Sequence, residues 1–479
     1  MEARPSRRTM LRGAAGLAAG LGVLAFAGDK AFLPDRHNSA DPNRLPDIQF
    51  DIGAHIGKAR TFNDGAGEVL AQLPPVHTMF VTATLHRTPS TADQARLAEA
   101  LDEIEAAYRF AADGILLFVS YGLPYFRRLP SGLVADTMPR LLADRSRWAL
   151  EEAVPGPTDV SPSNPGITKQ TFNIPVQIEQ NDILITIRTD NAGYLRDVLA
   201  WLSGSNTLRG RRVRSPALFD GLATITSSRA QFVQIGLPAK IATTVGVPYA
   251  DRISPNSPMW MGFLDQQVDG SGPAAICTFA GDAAARITTA KRGDYFDTGS
   301  IQHLSHVIED LEQFYLGSRQ TYLERVQLMF RSNPPPSHGF KDQFTAGGGP
   351  ACLDNHFKGT LDARDNAQGM HRMGHLCALQ RSSRSAGGTA MHIRMDGPGL
   401  DDMDVFNRNN APKLQFTIFV PTAEFFRTMR TNQASLDLAE QHDIKPVHNG
   451  LERFITATRR QNFLVPPRRH RAFPLTELG

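Results

Sequence analysis

Cysteine is scarce in this chain of 479 residues: Cys277, Cys352 and Cys377 are all there is. Three thiols allow at most one internal bridge, which excludes a disulfide-stapled scaffold. Net charge is equally scant. The formal +3 comes from the first 27 residues, where Arg4, Arg7, Arg8 and Arg12 outnumber Glu2 by three. The remainder is formally neutral, so bulk charge gives no reason to expect a nucleic-acid partner. No apolar run reaches the roughly 20 residues of a membrane-spanning helix. Gly347-Gly348-Gly349 is no phosphate cradle, for it lacks a preceding strand and the Lys-Ser/Thr that such loops carry. With 41% hydrophobic and 21% charged residues, a substantial core is available. The length suits two to three typical domains, or one large one.

The N-terminal segment is the most distinctive stretch. Ser6-Arg7-Arg8-Thr9-Met10-Leu11-Arg12 precedes a weakly apolar run from Gly13 to Ala27 that closes on Ala25-Phe26-Ala27. A charged start, an apolar middle and an A-x-A site read as a secretory signal peptide over residues 1–27. The paired arginines resemble the twin-arginine export signal. That resemblance implies a passenger folded before it meets the twin-arginine translocase, often because a cofactor is inserted first. The expected destination is the periplasm, the cell surface or the medium.

Residues 28–70 read as a polar, irregular lead-in. Met79, Val81, Ala83 and Leu85 then alternate with Thr78, Thr82 and Thr84, which predicts a half-buried strand. Thr91 with Gln94 three residues on forms a capping-box signature, and Leu97, Leu101, Ile104 and Tyr108 follow at helical spacing. Asp113-Gly114 is expected to stop that helix before a strand over 115–121. A strand over 183–187, a helix marked by Tyr194, Val198 and Trp201, and a short strand over 231–235 repeat the pattern. Together they give the β-α-β-β-α-β order of a ferredoxin-like unit, interrupted by the Pro/Gly-rich loop 153–170. The C-terminal half reads as a second copy. It has strands over 300–308, 414–420 and 462–465, and helices around Leu311 to Tyr315 and from Pro421 through Met429. The expected fold class is α+β, with two antiparallel units of dimeric α+β barrel type over 71–255 and 256–479.

Two sets of residues could carry chemistry. Cys352, His356, His371, His375 and Cys377 are borderline-soft ligands suited to zinc, although no C-x2-C knuckle holds them together. The other set is Asp265 in Gly262-Phe263-Leu264-Asp265, His375 in Gly374-His375-Leu376, and Arg394 in His392-Ile393-Arg394-Met395-Asp396. In order and spacing this second set resembles the DyP-type (dye-decolourising) haem peroxidases. That family has a Gly-x-x-Asp-Gly motif before its second half, then a haem-ligating His, then a distal Arg. Here Gln266 stands for the second glycine of the motif, and His375 and Arg394 are 19 positions apart. Gly122-Leu123-Pro124-Tyr125-Phe126 is similar to the family's GFGPxxF segment. Asn462 to Pro467 is similar to its terminal strand and Phe-x-Pro-Pro close.

The resemblance spans roughly residues 75–475 and implies haem b held on iron by His375. Asp265 and Arg394 would then lie on the peroxide side, and the substrates would be hydrogen peroxide and an organic donor. It also raises the expectation that Arg468, Arg469 or Arg471 meets haem propionates. Two other readings stay open: a non-catalytic exported haem-binding or scaffold protein of the same fold, and a Cys/His metal-binding protein. A homo-oligomer is compatible with each.

Overall fold

The computed structural model describes residues 45–58, 60–63, 68–262, 272–281, 286–316, 391–405, 411–434, 436–444 and 451–479. Within the stretch expected to be irregular, β1 (Arg60–Asn63) and β2 (Glu68–Ala71) pair as an antiparallel hairpin.

The first unit then follows the expected order. Strand β3 (His77–Leu85) leads into α1 (Thr91–Ala107) and β4 (Leu116–Gly122). After the short β5 (Gln177–Ile178) come β6 (Ile183–Thr189), α2 (Ala192–Leu202), a small hairpin of β7 (Thr207–Leu208) and β8 (Arg211–Arg212), and β9 (Ala223–Phe232). The capping box sits one residue earlier than expected. Ser90 Oγ accepts from the Asp93 amide at 3.3 Å, and the Asp93 carboxylate accepts from the Ser90 amide at 2.8 Å. Arg87 closes on the same carboxylate and holds it below the usual range. Gln94 instead donates to the Phe473 carbonyl at 3.1 Å. The helix ends at Ala107, ahead of Asp113-Gly114. Gly114 serves the turn into β4, where an added Cβ would fall 1.9 Å from the Arg109 carbonyl oxygen. Leu97, Leu101 and Ile104 of α1 are buried against the sheet, each worth about 1.5–3 kcal/mol of apolar burial.

The second unit runs β10 (Ser300–Glu309), α4 (Leu311–Leu316), β11 (Ile393–Arg394), β12 (Gly397–Asp401), β13 (Ala411–Val420), α5 (Ala423–Ala434) and β14 (Ile455–Val465), α3 (Leu237–Val245) having closed the first. The spatial order in one ten-stranded sheet is β11-β13-β10-β14-β4-β6-β3-β9, with β12 on β13 and β5 on β14. Each unit thus has its four main strands in the ferredoxin-like order 4-1-3-2. The units join where β14 meets β4, at Phe463 opposite Gly122 and Leu464 opposite Tyr121.

The two ends of this sheet approach each other. Gly399 of β12 lies so near β9 that a Cβ would fall 2.8 Å from the Ala230 carbonyl oxygen. The Gln231 amide of β9 donates to the Met395 carbonyl at 2.8 Å. A sheet closed this way buries both faces of its strands. Thr78 and Thr82 of β3 therefore point into a polar interior rather than to water, correcting the half-buried expectation, while Thr84 stays partly exposed. Across that interior Ser120 donates to Gln302 at 2.9 Å, and Gln302 donates to Thr186 at 3.1 Å. The lead-in plugs one end. Buried Gln49 donates to the carbonyls of Val119 (3.1 Å) and Pro466 (2.8 Å) and accepts from the Val119 amide (3.0 Å). Phe50 stacks on Phe419 at 4.4 Å.

Candidate functional site

Of the three residues expected to carry chemistry, Arg394 is the one among the described residues. Asp265, Gln266 and His375 lie outside them, as do Cys352, His356, His371 and Cys377. Among the described residues no group of three or more His, Cys, Asp or Glu side chains could hold a metal ion. Cys277 is a free, buried thiol whose ionisation burial pushes up, so it is unsuited to nucleophilic work.

Arg394 is half-buried on β11, where it pairs with Ile418 of β13 while Ile393 pairs with Phe419. Ile393 and buried Met395 pack among Phe50, Phe419 and Cys277. Three side-chain or main-chain bonds fix the backbone on either side of Arg394. The Trp260 indole donates to the Gly399 carbonyl at 3.0 Å, the Gly272 amide to the His392 carbonyl at 2.7 Å, and Gln231 to Met395. Trp260 and Gly272 flank the stretch that contains Asp265. The chain is therefore fastened beside Arg394 both before and after Asp265. Tyr315, at the end of α4, donates to the Trp260 carbonyl at 2.7 Å and fixes that anchor from behind. Nearby on β10, burial and then the charge of Asp396 push the Glu309 carboxyl up to about 8. No motif flagged Trp260, Gln231 or Glu309. Their signal is spatial, and only the closure of the sheet reveals it.

The C-terminal arginines are committed elsewhere. Arg468 pairs with Glu105, and its guanidinium lies 4.8 Å from the Phe110 ring centre. Arg469 pairs with Asp47 and Asp297. Arg471 bonds Asp102 at 2.9 Å and Glu105 at 2.5 Å. They line a cleft of about 590 Å³ along α1, in the first unit, together with Thr91, Gln94 and Glu477. In this structure these three cations, expected to meet haem propionates, hold carboxylates of α1, the lead-in and Asp297.

A second concentration of charge fills the closed sheet. Arg229 bonds Glu179 at 2.5 Å, and Arg459 bonds Asp404 at 2.7 Å. His306 lies 3.2 Å from Asp401, and Lys413 lies 3.4 Å from it. Burial opposes the charge of Asp401, but His306 and Lys413 hold its carboxyl well below the usual range. Burial pulls the His306 imidazole down, against the charge of Asp401, which raises it. Arg229, Arg459 and Lys413 thus meet Glu179, Asp404 and Asp401 in an interlocked arrangement that suits scaffolding better than turnover.

The fold is similar to several solved structures. The encapsulated DyP-type peroxidase from Mycobacterium smegmatis is 15% identical, over 83% of this chain and 94% of that one, with a TM-score of 0.46. A dye-decolorizing peroxidase from Bacteroides thetaiotaomicron is 12% identical, over 84% and 95%, with a TM-score of 0.46. A variant of DypB from Rhodococcus jostii in complex with heme is 13% identical, over 83% and 94%, with a TM-score of 0.45. None of the curated proteins matches the chain. A family model does match, over residues 75–154 and 149–467, and its description is a family of unknown function, DUF7405. Since those two segments take in both units of the sheet, the chain belongs to the DUF7405 family.

Proposed function

We propose that the chain is an exported, haem-dependent peroxidase that oxidises organic donors with hydrogen peroxide. One observation carries the reading: the segments flanking Asp265 are both fastened beside Arg394, through Trp260 to Gly399 and Gly272 to His392. Trp260 and Gly272, which bracket Asp265 in sequence, are thereby both bonded to the segment 392–399 that carries Arg394. The order of Asp265, His375 and Arg394 supports it further.

The donor set fits haem in kind. His375 would hold the iron through neutral imidazole nitrogen, and haem when bound supplies a redox-active metal. The Asp265 carboxylate takes a proton from one peroxide oxygen and returns it to the departing oxygen. The Arg394 guanidinium, charged at every accessible pH, stabilises the negative charge that develops as the O–O bond breaks. The bonds around Arg394 fix its backbone on the strand, the point from which its guanidinium acts.

The test is spectroscopic and kinetic. Protein produced with a haem supply is expected to show a Soret band, and His375→Ala to lose it. Arg394→Leu is expected to keep the band while peroxide turnover falls about 10²–10³-fold. A colourless wild-type protein overturns the proposal. A second reading, a haem-binding or scaffold protein without turnover, is favoured by Gln266 at the position of the motif's second glycine. It predicts a Soret band with no peroxide consumption.

A further inference from the structure

The β7–β8 hairpin concentrates positive charge that nothing in the site above uses. Arg209, Arg211, Arg212 and Arg214 are all exposed, and residues 198–219 contain no Asp or Glu. The hairpin is braced rather than loose. Leu208 is fully buried, the Trp201 indole donates to the Val213 carbonyl at 3.1 Å, and the Ser215 amide donates to Asn206 at 2.9 Å. Arg209 belongs to the bracing: its guanidinium lies 5.4 Å from the Tyr108 ring centre and donates to the Ala107 carbonyl. Arg211, Arg212 and Arg214 differ, since their side chains engage no carboxylate among the described residues. The result is a rigid platform presenting three free guanidinium groups from a chain that is otherwise near charge balance.

We propose that this hairpin docks the protein reversibly on an anionic bilayer surface, with the guanidinium groups on lipid phosphates. Guanidinium forks match phosphate oxygens in pairs. The three arginines span four residues, about 10 Å of strand. That is short for the run of phosphate contacts on which duplex binding depends. The hairpin carries no aromatic ring on which unpaired bases could stack. Its turn, Arg209-Gly210, offers no apolar wedge, so contact is adsorption to a charged plane and not insertion. An exported protein would meet such a plane at the membrane it crosses. The inference stands independently of any haem chemistry.

The test is co-sedimentation of the full chain with vesicles of phosphatidylcholine alone or mixed with phosphatidylglycerol. Any binding by the N-terminal segment, through its apolar run or through Arg4, Arg7, Arg8 and Arg12, is common to wild type and variant, so the comparison between them isolates the hairpin. The triple variant Arg211→Ser, Arg212→Ser, Arg214→Ser is expected to bind the anionic vesicles about a hundredfold more weakly, roughly fivefold per arginine. Wild-type binding should weaken as salt rises. Arg212→Ser alone, at an exposed position, should give the single fivefold step even if the triple variant folds poorly. Equal sedimentation of wild type and Arg212→Ser on anionic vesicles overturns the proposal. So does a loss confined to duplex DNA binding, which would make nucleic acid the partner.

Discussion

Glu309 is a residue whose chemistry lies far from its ordinary state. Its carboxyl keeps a proton up to about pH 8 in the folded chain, against 4.5 ordinarily. The native state therefore binds more protons than the unfolded one between those values, and stability falls as pH rises through the window. Glu309→Gln mimics the protonated form. Urea unfolding should find it equal to wild type near pH 4.5 and more stable above pH 8, by at most about 5 kcal/mol. A variant no more stable than wild type at pH 8.5 would show that the buried carboxyl is solvated after all. Asp401 and Glu452 pull the other way. Their carboxyls are held well below the usual range by His306 and Lys413 and by Arg430. They contribute stability above about pH 4 that is lost on further acidification. Together these opposed groups predict a stability maximum on the acid side of neutrality. None of them was legible in sequence, because burial and partner are properties of the closed sheet.

At the scale of elements, the seam between β9 and β12 sets the position of β11. Gly399→Ala would push a methyl against the Ala230 carbonyl at 2.8 Å, so it should cost about 1–3 kcal/mol. If the seam positions Arg394, peroxide turnover in that variant should also fall while the haem spectrum stays unchanged. Loss of stability with turnover intact would uncouple the two. The elements were legible wherever apolar residues recur, as in α1, β6 and β13. They were missed where strands are polar. Residues 231–235 and 462–465 carry an apolar strand signal, yet β9 runs from Ala223 and already ends at Phe232, and β14 begins at Ile455. The unseen parts owe their polarity to partners inside the fold. Ser227 and Thr226 bond Thr82 at 2.7 and 2.8 Å, and Arg460 bonds Asp159 at 2.9 Å. Period-two alternation shows which residues share a face. It does not say whether the polar face meets water or a hydrogen-bonded interior.

For the whole molecule, Gln49 is the residue on which both units converge. Gln49→Ala removes three hydrogen bonds and leaves the Val119 amide and two carbonyls buried without it. A cost of about 2–4 kcal/mol is expected, with faster amide exchange at the β4–β14 junction. Unchanged exchange there would mean that the lead-in is a passive cover. The two-unit architecture itself was legible from element order. The plug was not, since a lone Gln-Phe in a polar stretch carries no periodic signal.

The bond from Gln49 to Pro466 joins positions 417 residues apart, and Asp47 meets Arg468 and Arg469 in the same place. This sets a timetable for synthesis. Residues 47–50 are made long before β14, so their bonds to Pro466, Arg468 and Arg469 must wait for that strand, although Val119 is present much earlier. Full seating of the segment is thus a record that β14 has been added to the sheet. Any change that disturbs residues 463–469 should accordingly be felt first at residues 47–50.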